Sequence, residues 1–411
     1  MINPFPSSAS ELKEQLPASA ILGLSVASFG SGMSMRVADS MLIKLADTFA
    51  INLAMASLVI TMFGVAYGFM QFIFGPLGDR YGKYLVIGRA CLACACTAFL
   101  CALAPDFYSL LLTRIFAGAT AAAIIPLSMA WIGDVVPYEQ RQPVLARFLI
   151  GQILGLSSGA FLGGFCADYL SWRVPFILIA TSFVVIGFVL LRINKKLPAS
   201  ARVLHIAQGN YLPRLISEFS LVLKISWARV VLVTVMLEGA TVFGGMSFIA
   251  SHLHTHHGVS LSAAGAIVTL FGFGGLLFAL RSRIAVAYFG ESGLIRFGGL
   301  FMTLSLCSIA YAPVWWWSLP ASFCFGLGFY MMHNTLQINA TQMAPERRGT
   351  AVAAFASSFF LGQSAGVAIG GVVFVLIGSD HLLGLAGLSV LLLSSIFLIF
   401  HQRHKTLMSL N

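Results

Sequence analysis

Apolar stretches about as long as a bilayer is thick recur along the chain and leave little between them. They lie near 19–43, 53–76, 84–103, 107–132, 144–167 and 173–192, and after an interruption near 230–252, 262–281, 293–312, 314–337, 350–377 and 382–401. A helix needs roughly 20 apolar residues to span a hydrocarbon core, where only helices and closed barrels satisfy their own backbone. Of the 411 residues, 58% are hydrophobic and only 9% charged, against about 25% charged in soluble domains. So few charges cannot cover a water-exposed surface, which excludes a soluble enzyme, a disordered tail and a coiled coil. The 34 Phe and 40 Gly suit helices that turn bulky residues to lipid and small ones to each other. The expected fold is an all-α polytopic membrane protein with 12 transmembrane helices in two six-helix bundles. Residues 1–192 and 230–411 form the bundles, and 193–229 is a cytoplasmic linker. The first stretch is long enough to span, so it reads as an anchor and not as a removed signal.

The formal charge of +10 follows from the bias of Lys and Arg toward cytoplasmic loops, and no nucleic-acid partner is expected. With the N-terminus inside, every Lys and Arg except Lys44, Arg173, Arg36 and Arg114 falls on or near a cytoplasmic loop. Trp131 and Trp227 fall at inner ends and Trp172, Trp315, Trp316 and Trp317 at outer ends, as an interfacial belt requires. Both termini are thus expected in the cytoplasm and the protein in the inner or plasma membrane. The seven cysteines all lie in apolar runs and read as packing residues, not a disulfide framework. The linker carries Lys195, Lys196, Arg202, Arg214, Lys224 and Arg229 against the single acid Glu218, and Leu215, Ile216, Phe219, Val222 and Leu223 repeat within it at helical spacing. It reads either as an amphipathic helix lying on anionic headgroups or as an ordinary tether.

The halves also repeat. An offset of 207 carries Glu139, Arg141, Gly155, Gly159, Gly163 and Gly164 onto Glu346, Arg348, Gly362, Gly366, Gly370 and Gly371. Parallel duplication of six-helix halves is a transporter architecture with its substrate site between the halves.

Gly75-Pro-Leu-Gly78-Asp79-Arg80-Tyr81-Gly82-Lys83, between the second and third stretches, resembles motif A of the major facilitator superfamily. Arg114-Ile-Phe-Ala-Gly118 resembles its motif B. Gly155-Leu-Ser-Ser-Gly159-Ala160-Phe-Leu-Gly163-Gly164 is similar to motif C of the 12-helix drug/proton antiporters, with Ala160 in place of that motif's proline. The second-half copy of motif A survives only as Leu280-Arg281-Ser282-Arg283. The resemblance implies the major facilitator fold, with the first, fourth, seventh and tenth segments lining a central cavity. It implies a latch at the cytoplasmic face when the carrier faces outward: Asp79 against the start of the eleventh segment near Gly349, and Arg80 against Asp134. Gly75, Gly78 and Gly82 permit the tight turn there, and Lys83 completes the motif. Gly155, Gly159 and Gly163 share a helix face and let a neighbour pack closely, with Gly164 beside them.

Charges inside spanning helices are costly and usually mark a pathway or a relay. Asp39 is expected to pair with Arg114, with Arg36 nearby, and to take up a proton when the pair separates; a permanent salt bridge is the alternative. Glu238, midway through the seventh segment with no cation in its local sequence, is the rival coupling acid or a contact for a cationic substrate. Gln71, Gln152, Asn334 and Gln363 are polar candidates for the same cavity. His252, His254, His256 and His257 crowd the short outer loop after the seventh segment and are weak candidates for a metal site, with no carboxylate or cysteine beside them.

These features point to a secondary active transporter moving a small molecule by alternating access, acting as a monomer with protons as second partner, and exporting its substrate. The alternative is a proton-coupled or facilitative importer of a metabolite or metal chelate on the same fold. No H-E-x-x-H, nucleophile elbow or phosphate loop is present, so neither an enzyme activity nor a cofactor is expected.

Overall fold

A computed structural model describes residues 18–202 and 211–410. Residues 1–17, 203–210 and 411 lie outside the described residues, and with them part of the 193–229 segment; the side chains of Arg214, Leu215 and Ile216 do so as well. Among the described residues every regular element is helical. The first half contains α1 (Ala18–Arg36), α2 (Leu42–Phe49), α3 (Leu53–Tyr81), α4 (Lys83–Leu103), α5 (Phe107–Ala121), α6 (Ile124–Val135), α7 (Tyr138–Tyr169) and α8 (Val174–Lys196). After α9 (Tyr211–Lys224) the second contains α10 (Ser226–Met246), α11 (Ile249–His257), α12 (Leu261–Tyr311), α13 (Ser318–Gln342), α14 (Arg348–Ile377) and α15 (Ser379–Leu410).

Polar caps start several helices where the apolar runs begin. The Asn52 side chain accepts from the Met55 amide at 2.9 Å. Asp106 accepts from Ser109 N at 2.9 Å, while the Ser109 hydroxyl accepts from Asp106 N at 3.3 Å, a reciprocal capping box. Ten helical stretches are long and apolar enough to cross a bilayer by length and composition, against the twelve expected. Two causes account for the difference. The 51-residue α12 folds back at Gly290, whose φ of 61° and ψ of 175° interrupt the helix. His252, just before α12, bonds the Ile309 carbonyl near its far end at 2.9 Å, so the two arms return to one face. Meanwhile α13 carries His333, Asn334, Gln337, Asn339 and Gln342, which dilute its apolar character.

The repeat in sequence is a repeat in packing. Gly155, Gly159 and Gly163 of α7 lie against the carbonyls of Phe29, Met33 and Val37. At the same offset of 207, Gly362, Gly366 and Gly370 of α14 lie against those of Met236, Ala240 and Gly244. A Cβ on any of the six would meet backbone, so these crossings exist because the residues are glycine. The relation extends across the molecule: Gly164 meets Leu261 and Gly371 meets Ala54, again related by 207. A pseudo-two-fold axis thus relates α7 against α12 to α14 against α3.

The first and seventh segments also break at matching places. α1 ends at Arg36 and a 3-10 turn, Asp39–Met41, follows; α10 ends at Met246, with α11 starting at Ile249. The unwound turns face each other across the two halves.

Candidate transport site

Arg36, at the last turn of α1, is buried with Asp39. Its Nη1 donates to Asp39 Oδ2 at 2.6 Å and to Ser247 Oγ at 3.4 Å, and Nη2 lies 3.4 Å from Met246 Sδ. The guanidinium stands 4.2 Å over the Phe243 ring. Ser247 Oγ in turn donates to Asp39 Oδ2 at 3.4 Å. One cation from the first half is thereby seated on the broken segment of the second, and a carboxylate holds it there.

The pairing expected between Asp39 and Arg114 is not the one formed. Arg114 is wholly buried on α5 and donates instead to the carbonyls of Val59 and Ser34, both at 3.2 Å, with its guanidinium 4.2 Å over Phe63. It therefore ties α5 to α1 and α3 within the first half. Asp39 takes the arginine three residues away because one helical turn brings the two side chains together, a shorter reach than any across helices.

Glu238 of α10 is not isolated either. Its Oε2 lies 2.7 Å from His333 Nδ1 of α13, which the sequence reading missed. Glu238 is fully buried, while 17% of the His333 side chain is exposed. The imidazole is walled by Phe329 at 4.9 Å, Phe359 at 4.8 Å and Phe355 at 5.6 Å between ring centroids. Among the described residues Glu238 Oε1 has no hydrogen-bond partner. His333 was open to discovery, since an ionisable group inside a spanning segment is a site signal in itself. Of the other polar candidates, Gln71 and Gln363 are buried, and Gln152 O faces Gly32 across the α1–α7 contact.

At the basic end Lys83 does what was expected of Arg80. Its Nζ lies 2.8 Å from Asp79 Oδ1 and 2.7 Å from Asp134 Oδ2, while the Arg80 guanidinium stands 5.2 Å over Tyr81. The first helical turn after Gly82 (φ 91°) carries Lys83 back over both acids. Asp79 is not seated on the start of α14, and Gly75 and Gly349 face open space. Contacts between the halves run instead from the opposite end: Asp168 accepts from Ser262 N at 2.6 Å, Thr269 donates to Ser157 O at 3.0 Å, and Ser357 donates to Gly68 O at 2.9 Å. Beyond that level Ile73, Leu77, Leu277 and Leu280 stay exposed. The latch is expected of a form closed at the basic end, whereas here the halves meet at the other end. Asp79→Asn is expected to leave this form intact and deprive the closed one of a charge–dipole contact worth roughly 0.3–2 kcal/mol. A cysteine at position 349 in a background free of other reactive thiols should then label faster with an impermeant maleimide than in the parent; equal rates would reduce Asp79 to a loop anchor.

The histidines do not sit in a loop. All four lie in α11, the helical continuation of the seventh segment. His252 is buried, with Nδ1 2.8 Å from Ser379 Oγ and Nε2 2.9 Å from Ile309 O, so both ring nitrogens are engaged. His254 Nδ1 meets Val259 O at 2.8 Å; the His256 ring stacks on His252 with centroids 5.2 Å apart, and His257 meets His252 edge-on at 5.8 Å. Among the described residues no group of three or more side chains is arranged to hold a metal.

Two duplicated helical halves with buried charge at their junction define a membrane transporter. A family profile, the Major Facilitator Superfamily, matches residues 24–367, and the chain belongs to that superfamily, whose members carry solutes and are not enzymes. Among curated relatives, "Uncharacterized MFS-type transporter YceJ" of Bacillus subtilis (strain 168) is 23% identical over 378 residues, covering 88% of this chain and 90% of its own. "Quinolone resistance protein NorA" of Staphylococcus aureus (strain N315) is 25% identical over 320 residues, covering 75% and 79%. Among solved structures, a mutant of the nucleoside transporter NupG superposes with a TM-score of 0.75 at 16% identity, covering 92% of this chain and 99% of that one. A mutant of the peptide transporter POT gives 0.75 at 14% identity, covering 97% and 99%. These structural likenesses bear on the fold.

Proposed function

We propose that the protein is a proton-coupled transporter that exports small, partly apolar molecules across the inner or plasma membrane by alternating access, with both termini in the cytoplasm. The observation that carries this reading is the Arg36–Asp39–Ser247 contact. A coupling acid must change a contact between the halves when it gains a proton, because only then does protonation bias one form over the other. Asp39 meets that condition: neutralising it removes the partner that holds Arg36 against Ser247 and Met246. Glu238 and His333 both belong to the second half, so their pair suits substrate recognition. A carboxylate and an imidazole beside three Phe rings offer hydrogen bonds and stacking to a ligand with an aromatic or amine portion. Taking the basic end as cytoplasmic, this form faces inward. The likeness to a quinolone resistance protein supports export.

Purified protein in liposomes with an imposed pH gradient, offered a panel of compounds that includes a fluoroquinolone and read by mass spectrometry, tests this reading. Substrate is expected to move against the direction of proton flow. Movement with the protons would favour import, and transport indifferent to the gradient would overturn proton coupling.

A further inference from the structure

The charge-bearing junction is not the only place where this molecule is shaped to take a ligand. On its outer face a crevice of about 560 Å³ opens between α1 and α7, lined by Ile21, Leu22, Val26, Ile150 and Leu154, with Arg147 at one end. A second crevice of about 370 Å³ runs between α1 and α8 past Gly30, Met33 and Ile186. Both are bounded by Val26 and Phe29, so one follows the other along α1. Leu22 is 65% exposed, more than core packing would leave.

Depth and charge say what the path can hold. From Arg147 to Tyr169, where α7 ends, is about 33 Å along the axis, close to the roughly 30 Å of a hydrocarbon core. Arg147 therefore stands at the boundary between acyl chains and headgroups. It is exposed, and among the described residues no acid pairs with it. From Ile21 to Met33 the two crevices cover about 18 Å of helix, comparable to the half-thickness of the core, about 15 Å. We infer that this path is a binding site for an anionic phospholipid of the leaflet at the basic end. Its phosphate pairs with Arg147, and one acyl chain lies along α1 past Val26 and Phe29 toward Met33. An apolar groove one leaflet deep, lined by a cation with no acid partner among the described residues, is complementary to such a lipid, and a zwitterionic lipid would leave that cation less fully compensated.

The site touches the moving parts. Gly151 lies against the backbone of Ser25, so a chain in the crevice is wedged beside the same α1–α7 contact that leads up to Arg36. A lipid here would brace α1 against α7 without reaching the central cavity.

The test is photolabelling in nanodiscs of phosphatidylcholine with a minority of phosphatidylglycerol. Either lipid carries the diazirine on its acyl chain, and adducts are mapped by peptide mass spectrometry. With labelled phosphatidylglycerol, adducts should concentrate on residues 21–33 and 144–154, and Arg147→Gln should lower them about fivefold, the weight of one basic residue against an anionic headgroup. Labelled phosphatidylcholine should mark the crevice less and be indifferent to that change. Ile150→Trp, which fills the groove, should lower adducts there while those on α4 and α15 persist. Adducts spread evenly around the bundle, or undiminished in Arg147→Gln, would overturn the assignment. Thermal melting of each variant separates loss of the lipid from loss of the fold.

Discussion

Asp39→Asn should abolish accumulation of substrate against its gradient while equilibrium exchange remains measurable. The expected loss of gradient-driven transport is at least about 100-fold, because the free energy that binding supplies to a conformational change is limited to its difference between the two forms. An amide in place of the carboxylate keeps the size of the side chain but no longer changes charge, so the proton gains nothing by either form. Arg36, now facing Ser247 and Met246 without its acid, should hold the non-basic end less firmly. Glu238→Gln should act differently: its pair with His333 lies in one half, and its loss should weaken substrate binding by about 10–100-fold, or roughly 1.4–2.8 kcal/mol, with coupling retained. Proton flux and counterflow measured side by side distinguish the two. If Asp39→Asn still concentrates substrate while Glu238→Gln cannot, the coupling acid is Glu238 and the role given to Asp39 is wrong.

Gly155→Leu should damage folding severely. A Cβ at that position would overlap the carbonyl of Phe29 and meet its Cα at 2.8 Å, so α1 and α7 must separate. Overpacking typically costs 1–3 kcal/mol, and the cost here should lie at or beyond the upper end because the obstacle is backbone, which cannot rotate aside. Gly362→Leu should behave alike, since Met236 stands to it as Phe29 stands to Gly155. Gly75→Ala is the contrasting case. Nothing lies near its missing Cβ, and alanine favours a helix interior by about 1 kcal/mol over glycine, so the melting temperature should hold or rise. Its penalty should appear only in transport, when the basic end closes and that face of α3 is covered. Size-exclusion profiles and melting curves decide the first pair; transport by a fully folded Gly75→Ala decides the last. A Gly155→Leu protein that melts like the parent would mean that the helices can pack further apart than their glycines imply.

The helical membrane architecture, the duplication and the membership of the family were legible because each rests on local chemistry. The length of an apolar run is set by bilayer thickness, and glycines four residues apart mark one helix face whichever helix comes to meet it. The offset of 207 went further, because two copies of one sequence pack alike: the same numbers relate Phe29 to Met236 and Ala54 to Leu261. The sequence also carried the spacing of Arg36 and Asp39, which one helical turn makes neighbours, and the lone imidazole of His333 in an apolar segment. What no spacing contains is which side chains meet between helices. Arg114 finds two carbonyls in place of an acid, Lys83 and not Arg80 spans Asp79 and Asp134, and Glu238 meets a histidine 95 residues away. Those partnerships depend on the rotation of each helix about its axis and on where two helices cross, and a change of about 100° per residue turns a side chain from one neighbour to another. Only tertiary packing sets those angles, and with them which charges pair.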